Sequence, residues 1–264
     1  MELYLYGITL AELLVLGVGV WMLSLQLRDV SIVDSFWSIF IAVAGMSAVY
    51  LTRSLYEPHI FIASLLLVIW AVRLSGYITY RNWGQPEDHR YQTIRKNNEP
   101  NFNIKSLFII FWLQAFLASI VALPFIGLVS APISPAAGPT GWFFGFAALI
   151  TVFGIVFETI GDWQLYRFLK DKKSGEVMDR GLWRYTRHPN YFGEFCVWWG
   201  FFGMALSVGA WWTILSPALM TVLLLKVSGV GLMEKTITES RPKYREYIRR
   251  TNAFFPGLPK KATN

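Results

Sequence analysis

The sequence predicts an all-α integral membrane protein, a seven-transmembrane-helix bundle with its N-terminus outside and its C-terminus in the cytosol. Three observations carry that prediction. Of 264 residues, 54% are hydrophobic and only 16% are charged, where soluble domains carry roughly 25% charged residues. Seven stretches are apolar over about the 20 residues that crossing the hydrocarbon requires. Lys and Arg outside those stretches fall on two sides as twenty-one against one.

The spans follow in order at about 3–25, 31–51, 60–80, 106–130, 141–166, 191–208 and 210–232. The first lacks a basic leader and is apolar for too long to be a cleavable signal peptide. The turn Ala131-Pro-Ile-Ser-Pro-Ala-Ala-Gly-Pro139 separates spans four and five, and Gly209-Ala210 is the tightest connection. Arg53 is the one basic loop residue on its side. The other side holds Arg28, five basic residues in loop 81–105, seven in loop 167–190 and eight in the tail 233–264. Positive charge is retained on the cytosolic side, which sets the orientation. The whole chain is therefore read as a single transmembrane domain.

Composition also excludes classes. Cys196 is the only cysteine, so no internal disulfide forms. That cysteine and three histidines make a poor His/Cys zinc site, and no metal is expected. The net charge of +7 needs no nucleic acid, because orientation and anionic headgroups account for it. The expected partners are membrane lipids and a hydrophobic small molecule from the bilayer, with the chain acting as a monomer.

An ionisable side chain at mid-bilayer costs at least about 2.5–3.5 kcal/mol on insertion scales. Glu12, Asp34, Arg73, Glu158, Asp162, Glu194 and Lys226 all lie in spans, with Gln114 as a neutral companion. In the predicted orientation all but Glu12 fall in the cytosolic half. Glu158 and Asp162 are four apart and share a helix face, as do Arg73 and Tyr77. A network of structural ion pairs would account for some of these charges. The size of the set favours a polar cavity open to the cytosol.

Between spans five and six runs Gly181-Leu-Trp-Arg-Tyr-Thr-Arg-His-Pro-Asn-Tyr-Phe-Gly-Glu194, where cations and aromatics alternate just before a helix start. A helix start favours anions, guanidinium forks suit phosphates and aromatic faces suit flat rings. An adenine dinucleotide fits that inventory, and so does a lipid headgroup. No GxGxxG follows a strand, and neither a phosphate-binding GxxxxGK[ST] nor a GxSxG occurs.

This segment strongly resembles the signature of the steroid 5-alpha-reductase family, its bacterial members in particular. Val33-Asp-Ser-Phe-Trp-Ser38, Gly84-Gln-Pro-Glu-Asp-His-Arg-Tyr-Gln92, Gly161-Asp-Trp-Gln164 and Arg241-Pro-Lys-Tyr-Arg-Glu-Tyr247 agree with it, so the likeness spans nearly the whole chain. The Arg-His-Pro-Asn-Tyr element also occurs in sterol C14 reductases and, in variant form, in isoprenylcysteine carboxyl methyltransferases. The resemblance implies NADPH-dependent reduction of a carbon–carbon double bond conjugated to a ketone, as in a 3-oxo-Δ4 steroid.

Carried over by position, Asp162, Asn190 and Glu194 match the family's cofactor-contacting Asp, Asn and Glu. Arg73 and Tyr77 match its Arg-x-x-x-Tyr, and Lys226 a basic residue of the last span. Arg184, Tyr185, Arg187, His188 and Tyr191 belong to the same cofactor-facing signature. Glu158, Lys170, Glu234, Arg241 and Tyr244 are counted with the cofactor set. Animal members polarise the ketone with a Glu on span two and a Tyr on span three; here span two offers Asp34, and Trp70 stands at the Tyr position.

Hydride addition to an enone moves negative charge to the carbonyl oxygen, so a donor aimed there lowers the barrier. Asp34 kept protonated by burial is the expected acid, with Tyr77 as alternative donor or relay. As a plain structural residue, Asp34 would instead cap a helix. Phe36, Trp37, Phe40 and Trp70 are the residues expected to line a flat apolar slot reached from the bilayer. The alternatives are an S-adenosylmethionine-dependent membrane methyltransferase of an isoprenoid or lipid, and a non-catalytic transporter or lipid-binding protein. The expected location is a bacterial inner membrane, or the endoplasmic reticulum membrane of a eukaryote.

Overall fold

A computed structural model describes residues 1–131, 138–171, 176–227 and 242–260. The chain divides into two compact units, Met1–Trp142 with Met204–Ser216 and Phe143–Gly203 with Pro217–Asn264. Five helices are long and apolar enough to cross a membrane: α1 Glu2–Leu27, α2 Ile32–Leu51, α3 Pro58–Asn82, α5 Phe102–Val121 and α7 Pro139–Asp171. Between α3 and α5 stands a short polar helix, α4 His89–Asn97. Among the described residues no strand forms; the one bridge joins Thr186 to Asn252.

The expected fourth span, 106–130, is corrected in two respects. It begins at Phe102, and after Val121 the chain restarts as α6 Leu123–Ser130 with Pro124 in its first turn. Proline has no N–H to continue the ladder. Phe125 N donates to Ala122 O instead, and Ser216 Oγ donates to Val121 O at 2.6 Å. The carbonyl lost to the helix is thus satisfied inside unit 1. The expected fifth span runs on to Asp171. The sixth is α8 Pro189–Ser207. The start of the seventh is a 3-10 turn, Trp211–Ile214, then α9 Leu215–Val222 and a π turn to Val227; residues 228–241 lie outside the described ones. The chain enters that turn through Gly209 at φ 86°, which favours glycine. In the tail stands α10 Pro242–Arg250.

In unit 1, α2 packs along α1 and α3, with Phe40, Ile41, Leu67, Trp70, Phe111 and Phe125 almost wholly buried. Gly45 lets Leu67 and Phe125 come so close that a Cβ there would meet them at 2.7 and 3.0 Å. The outer faces of α1, α3 and α5 expose large apolar residues such as Val15, Leu65, Val72 and Phe108. In water this would be a liability; in lipid it is the solvated side.

Unit 2 is built on a close crossing of α7 and α8. A Cβ at Gly154 would lie 2.6 Å from Gly193 O, and one at Gly193 would lie 2.7 Å from Glu158 N. At Gly200 the first obstacle is Thr151 Oγ1, at 2.2 Å. Small residues that let backbones touch are how helices associate where no hydrophobic effect separates lipid from protein. Gly193→Val is expected to destabilise the protein by about 1–3 kcal/mol through overpacking. Gly145→Ala, where nothing lies within 4 Å, should leave it unchanged. Thermal denaturation of the two variants in detergent checks this.

Candidate functional site

Polar residues gather in each unit. In unit 2 the gathering lies at the α7–α8 crossing. Glu158, Asp162 and Glu194 are all buried, at 3%, 3% and 5% exposure. Asn190 Nδ2 donates to Asp162 Oδ1 at 3.2 Å, and Trp198 Nε1 donates to Glu194 Oε1 at 3.0 Å. The approach follows from Gly161, whose Cβ would sit 3.3 Å from Asn190 N. Three carboxyls and an amide thus stand on stretches of two helices that glycines bring close.

The segment from Gly181 is pinned by its own side chains. Trp183 Nε1 donates to Gly161 O at 3.0 Å, and Leu182 N donates to Gln164 Oε1 at 2.9 Å. From the other side the tail closes over it. Tyr247 Oη donates to Trp183 O at 2.5 Å, Arg187 N to Asn252 O at 2.9 Å and Gly257 N to Tyr185 O at 3.0 Å. Burial pushes the Tyr247 phenol well above its ordinary range, so it remains a donor. Arg250 pairs with Asp179.

The signature residues therefore divide. Arg187, expected to face phosphate, is buried, and its Nη1 donates to Ile248 O and Thr251 O at 3.2 and 2.5 Å. A cation at the last carbonyls of a helix completes them and opposes the negative end of the dipole, so here it closes α10. His188 is buried and stacks on Tyr191, with ring centroids 5.4 Å apart. Arg184, Tyr185 and Lys170 are exposed, as is Lys226. Tyr244 is buried against Tyr247. Glu234 and Arg241 lie outside the described residues.

In unit 1, Asp34 lies in the first turn of α2, whose N-cap is Ser31, so it is not the cap residue. Tyr91 Oη donates to Asp34 Oδ1 at 2.6 Å, and Arg90 Nη2 donates to Oδ2 at 2.8 Å. Gln114 Nε2 reaches Tyr91 Oη at 3.1 Å. Burial, with the Asp34 carboxyl beside it, pushes the Tyr91 phenol far above its usual range. Burial works against the Arg90 charge, but Asp88 and Asp34 outweigh it and hold the guanidinium firmly protonated. Tyr91 and Arg90 had no role assigned from sequence. The available signal was Asp88 directly before them: its Oδ1 accepts from Arg90 N at 2.8 Å and caps α4.

Glu87 ties this helix to the α1–α2 connection. It accepts from Val30 N at 3.0 Å and from Arg95 Nη2 and Nε at 2.7 and 3.0 Å. Tyr77, the expected second donor, lies between two guanidinium groups, Arg73 and Arg81, each 5.9 Å from its ring centre. Arg73 and Tyr77 belong to unit 1, and Asp162, Asn190 and Glu194 to unit 2. Of the four expected slot residues, Phe40 and Trp70 are fully buried in unit 1, while Phe36 and Trp37 are half-buried.

Residues 20–251 match a family described as a protein of unknown function, DUF1295. The chain belongs to the DUF1295 family. That family is related to steroid 5-alpha-reductase-like proteins. This DUF1295 member is 28% identical over 274 residues to an uncharacterized protein of Schizosaccharomyces pombe, covering 92% of this chain and 77% of the relative. It is also 28% identical over 114 residues to the nickel-cobalt-cadmium resistance protein NccN of Alcaligenes xylosoxydans xylosoxydans, over 42% of this chain and 52% of that one. No solved structure matches. Among the described residues no group of three His, Cys, Asp or Glu could hold a metal ion.

The Glu87 clamp yields a pH prediction. Burial would raise its pKa, yet Arg95 and Val30 N–H hold it below the ordinary 4.5. Against the same effect of burial, Arg90 holds Asp88 below 3.8. Folded values below unfolded ones mean stability that is present above about pH 4.5 and lost as pH falls through the folded values. Glu87→Gln is expected to cost about 1 kcal/mol near pH 7 and to flatten the acid limb of a Tm-against-pH profile.

Proposed function

We propose that this protein is a membrane-embedded, NADPH-dependent reductase of the carbon–carbon double bond of a hydrophobic enone, such as a 3-oxo-Δ4 steroid or a lipid of like chemistry. The observation that carries the reading is the buried set Glu158, Asp162, Asn190 and Glu194, seated where α8 begins. Burying three carboxyls in a membrane helix pair has a large desolvation cost, and their chemistry suits a ligand rich in hydroxyls and amides. Carboxylates accept from ribose hydroxyls and from a carboxamide NH2, and an asparagine amide gives and accepts. Phosphates need cations, and exposed Arg184, Lys170 and Lys226 supply them. The donor set fits the dinucleotide, which when bound supplies the hydride.

Arg187 is then a positioning residue. It holds α10 closed over the Gly181–Tyr191 segment rather than touching phosphate. In unit 1 the proton is assigned to Asp34 and Tyr91. Tyr91 and Asp34 can share a proton across their 2.6 Å hydrogen bond, which makes the pair a group within unit 1 able to hold and release one. Gln114 keeps Oη in place, and Arg90 opposes premature uptake. Tyr77, bracketed by two arginines, suits contact with an anionic ligand better than donation to an enolate.

Purified full-length protein in detergent is expected to be stabilised against heat by NADPH and not by S-adenosylmethionine, because only a ligand of the folded state raises Tm. It should oxidise NADPH in the presence of a 3-oxo-Δ4 steroid or another hydrophobic enone. Asn190→Ala should weaken NADPH binding about tenfold. Tyr91→Phe should keep the NADPH stabilisation and lose about a hundredfold in turnover. Stabilisation by S-adenosylmethionine alone would replace this reading with the methyltransferase.

A further inference from the structure

One side of α7 runs from lipid into charge. Phe146, Leu149, Phe153, Val156, Ile160 and Trp163 recur three and four residues apart, so they form a single stripe along the helix, and each is exposed. The next position in that register is Arg167, whose guanidinium lies 5.2 Å from the centre of the Trp163 ring. A stripe of bare apolar side chains is the part of a spanning helix that acyl chains solvate. A Trp at its end with a cation beyond it marks the level of the headgroups.

At Arg167 the helix borders a hollow of about 380 Å3, within the range of small-molecule sites. Arg167 and Asp171 of α7 line it together with Glu176 and Arg180 of the segment before Gly181, and Phe168 and Met178 are its apolar part. That segment is held to α7 where Leu182 N donates to Gln164 Oε1 at 2.9 Å, and it turns there through Gly181 at φ 57°. Among the described residues neither Asp171 nor Arg180 enters an ion pair, so these two charges do not neutralise each other. None of the four charged residues has a part in the proposed chemistry.

Two guanidiniums and two carboxylates around one hollow suit a group that carries both signs. Guanidinium forks take a phosphodiester, and carboxylates take an ammonium that has N–H to donate. A quaternary ammonium has no N–H and prefers an aromatic face, and the Trp163 face already carries Arg167. A purely anionic headgroup would be opposed by both carboxylates. The stripe adds the remaining condition, a ligand whose long apolar chains lead up to its charged end. We propose that the end of α7 is a binding site for a phospholipid with an ethanolamine headgroup. Its phosphate lies at Arg167 and Arg180, its ammonium at Asp171 and Glu176, and its acyl chains along the Phe146–Trp163 stripe. This site is independent of the reductase reading.

The test uses the full chain, purified in detergent, stripped of lipid and returned to mixed micelles of one phospholipid at a time. Phosphatidylethanolamine should raise Tm more than phosphatidylcholine or phosphatidylglycerol of the same acyl chains, because a ligand of the folded state stabilises it. Native mass spectrometry should find phosphatidylethanolamine retained on the protein. Arg167→Gln combined with Arg180→Gln should weaken its binding about tenfold or more, and Asp171→Asn should narrow the preference over phosphatidylcholine. These three side chains are exposed, so the lipid-free Tm of each variant should equal that of wild type, which establishes folding. Glycerophosphoethanolamine, the headgroup without acyl chains, should give no shift at the concentrations at which the lipid acts. Equal stabilisation by the three lipids would overturn the proposal. So would a preference for phosphatidylethanolamine unchanged in the double arginine variant, or a shift from glycerophosphoethanolamine as large as the lipid's. A response to NADPH lost in the double variant, with the lipid response intact, would assign the hollow to the dinucleotide instead.

Discussion

Inside hydrocarbon a polar group has no water to fall back on, and that single deficit shapes most of what is distinctive in this chain. Every backbone carbonyl released from a helix and every buried charge needs a partner from the protein itself. At Pro124 the released Val121 carbonyl is met by Ser216 Oγ. Asp34 is met by Tyr91 and Arg90, which arrive from a short polar helix far along the chain. The same requirement explains why the chain clusters its buried carboxyls beside donors such as Asn190 and Trp198.

Glycine is what makes the unit 2 arrangement possible. Gly154 and Gly161 on α7 face Gly193 and the chain around Asn190, and backbone contact at that range brings α8's first turn onto the carboxyl-bearing face of α7. A methyl group at any of the closest positions would push the helices apart and separate Asp162 from its amide partner. The clasp formed by the tail works on a different scale. It is a run of backbone hydrogen bonds, one buried phenol and one buried guanidinium that hold the Gly181–Tyr191 segment from outside. A segment rich in Arg, His and Tyr therefore serves partly as architecture, and its exposed Arg184 and Tyr185 are set apart from its buried Arg187 and His188.

Hydropathy was enough to read α1, α2, α3, α5 and α7, because a lipid-spanning helix announces itself by length and apolarity within one contiguous stretch. It did not show that α5 ends at Val121 and the chain restarts as α6, since a single Pro124 reads as tolerable in an apolar run while the ladder breaks there. Loop 81–105 held a helix too polar to register as a span, capped by Asp88. The acidic members of the candidate site were legible for the opposite reason: a charge in an apolar run is conspicuous. Their partners were not, because Tyr91 and Gln114 are ordinary residues for their surroundings.

By itself, then, the sequence determined the all-helical class, the positions of five long apolar helices and which side chains were out of place in them, for these are properties of local composition and period. Membership of the DUF1295 family rests on the same linear pattern. Tertiary structure decided which donor each acid received, that Arg187 closes a helix, and that Asp34 is bonded to a phenol from α4. Asp34 and Tyr91 are 57 residues apart and Arg187 and Thr251 are 64 apart, and no local pattern encodes where two distant segments will meet.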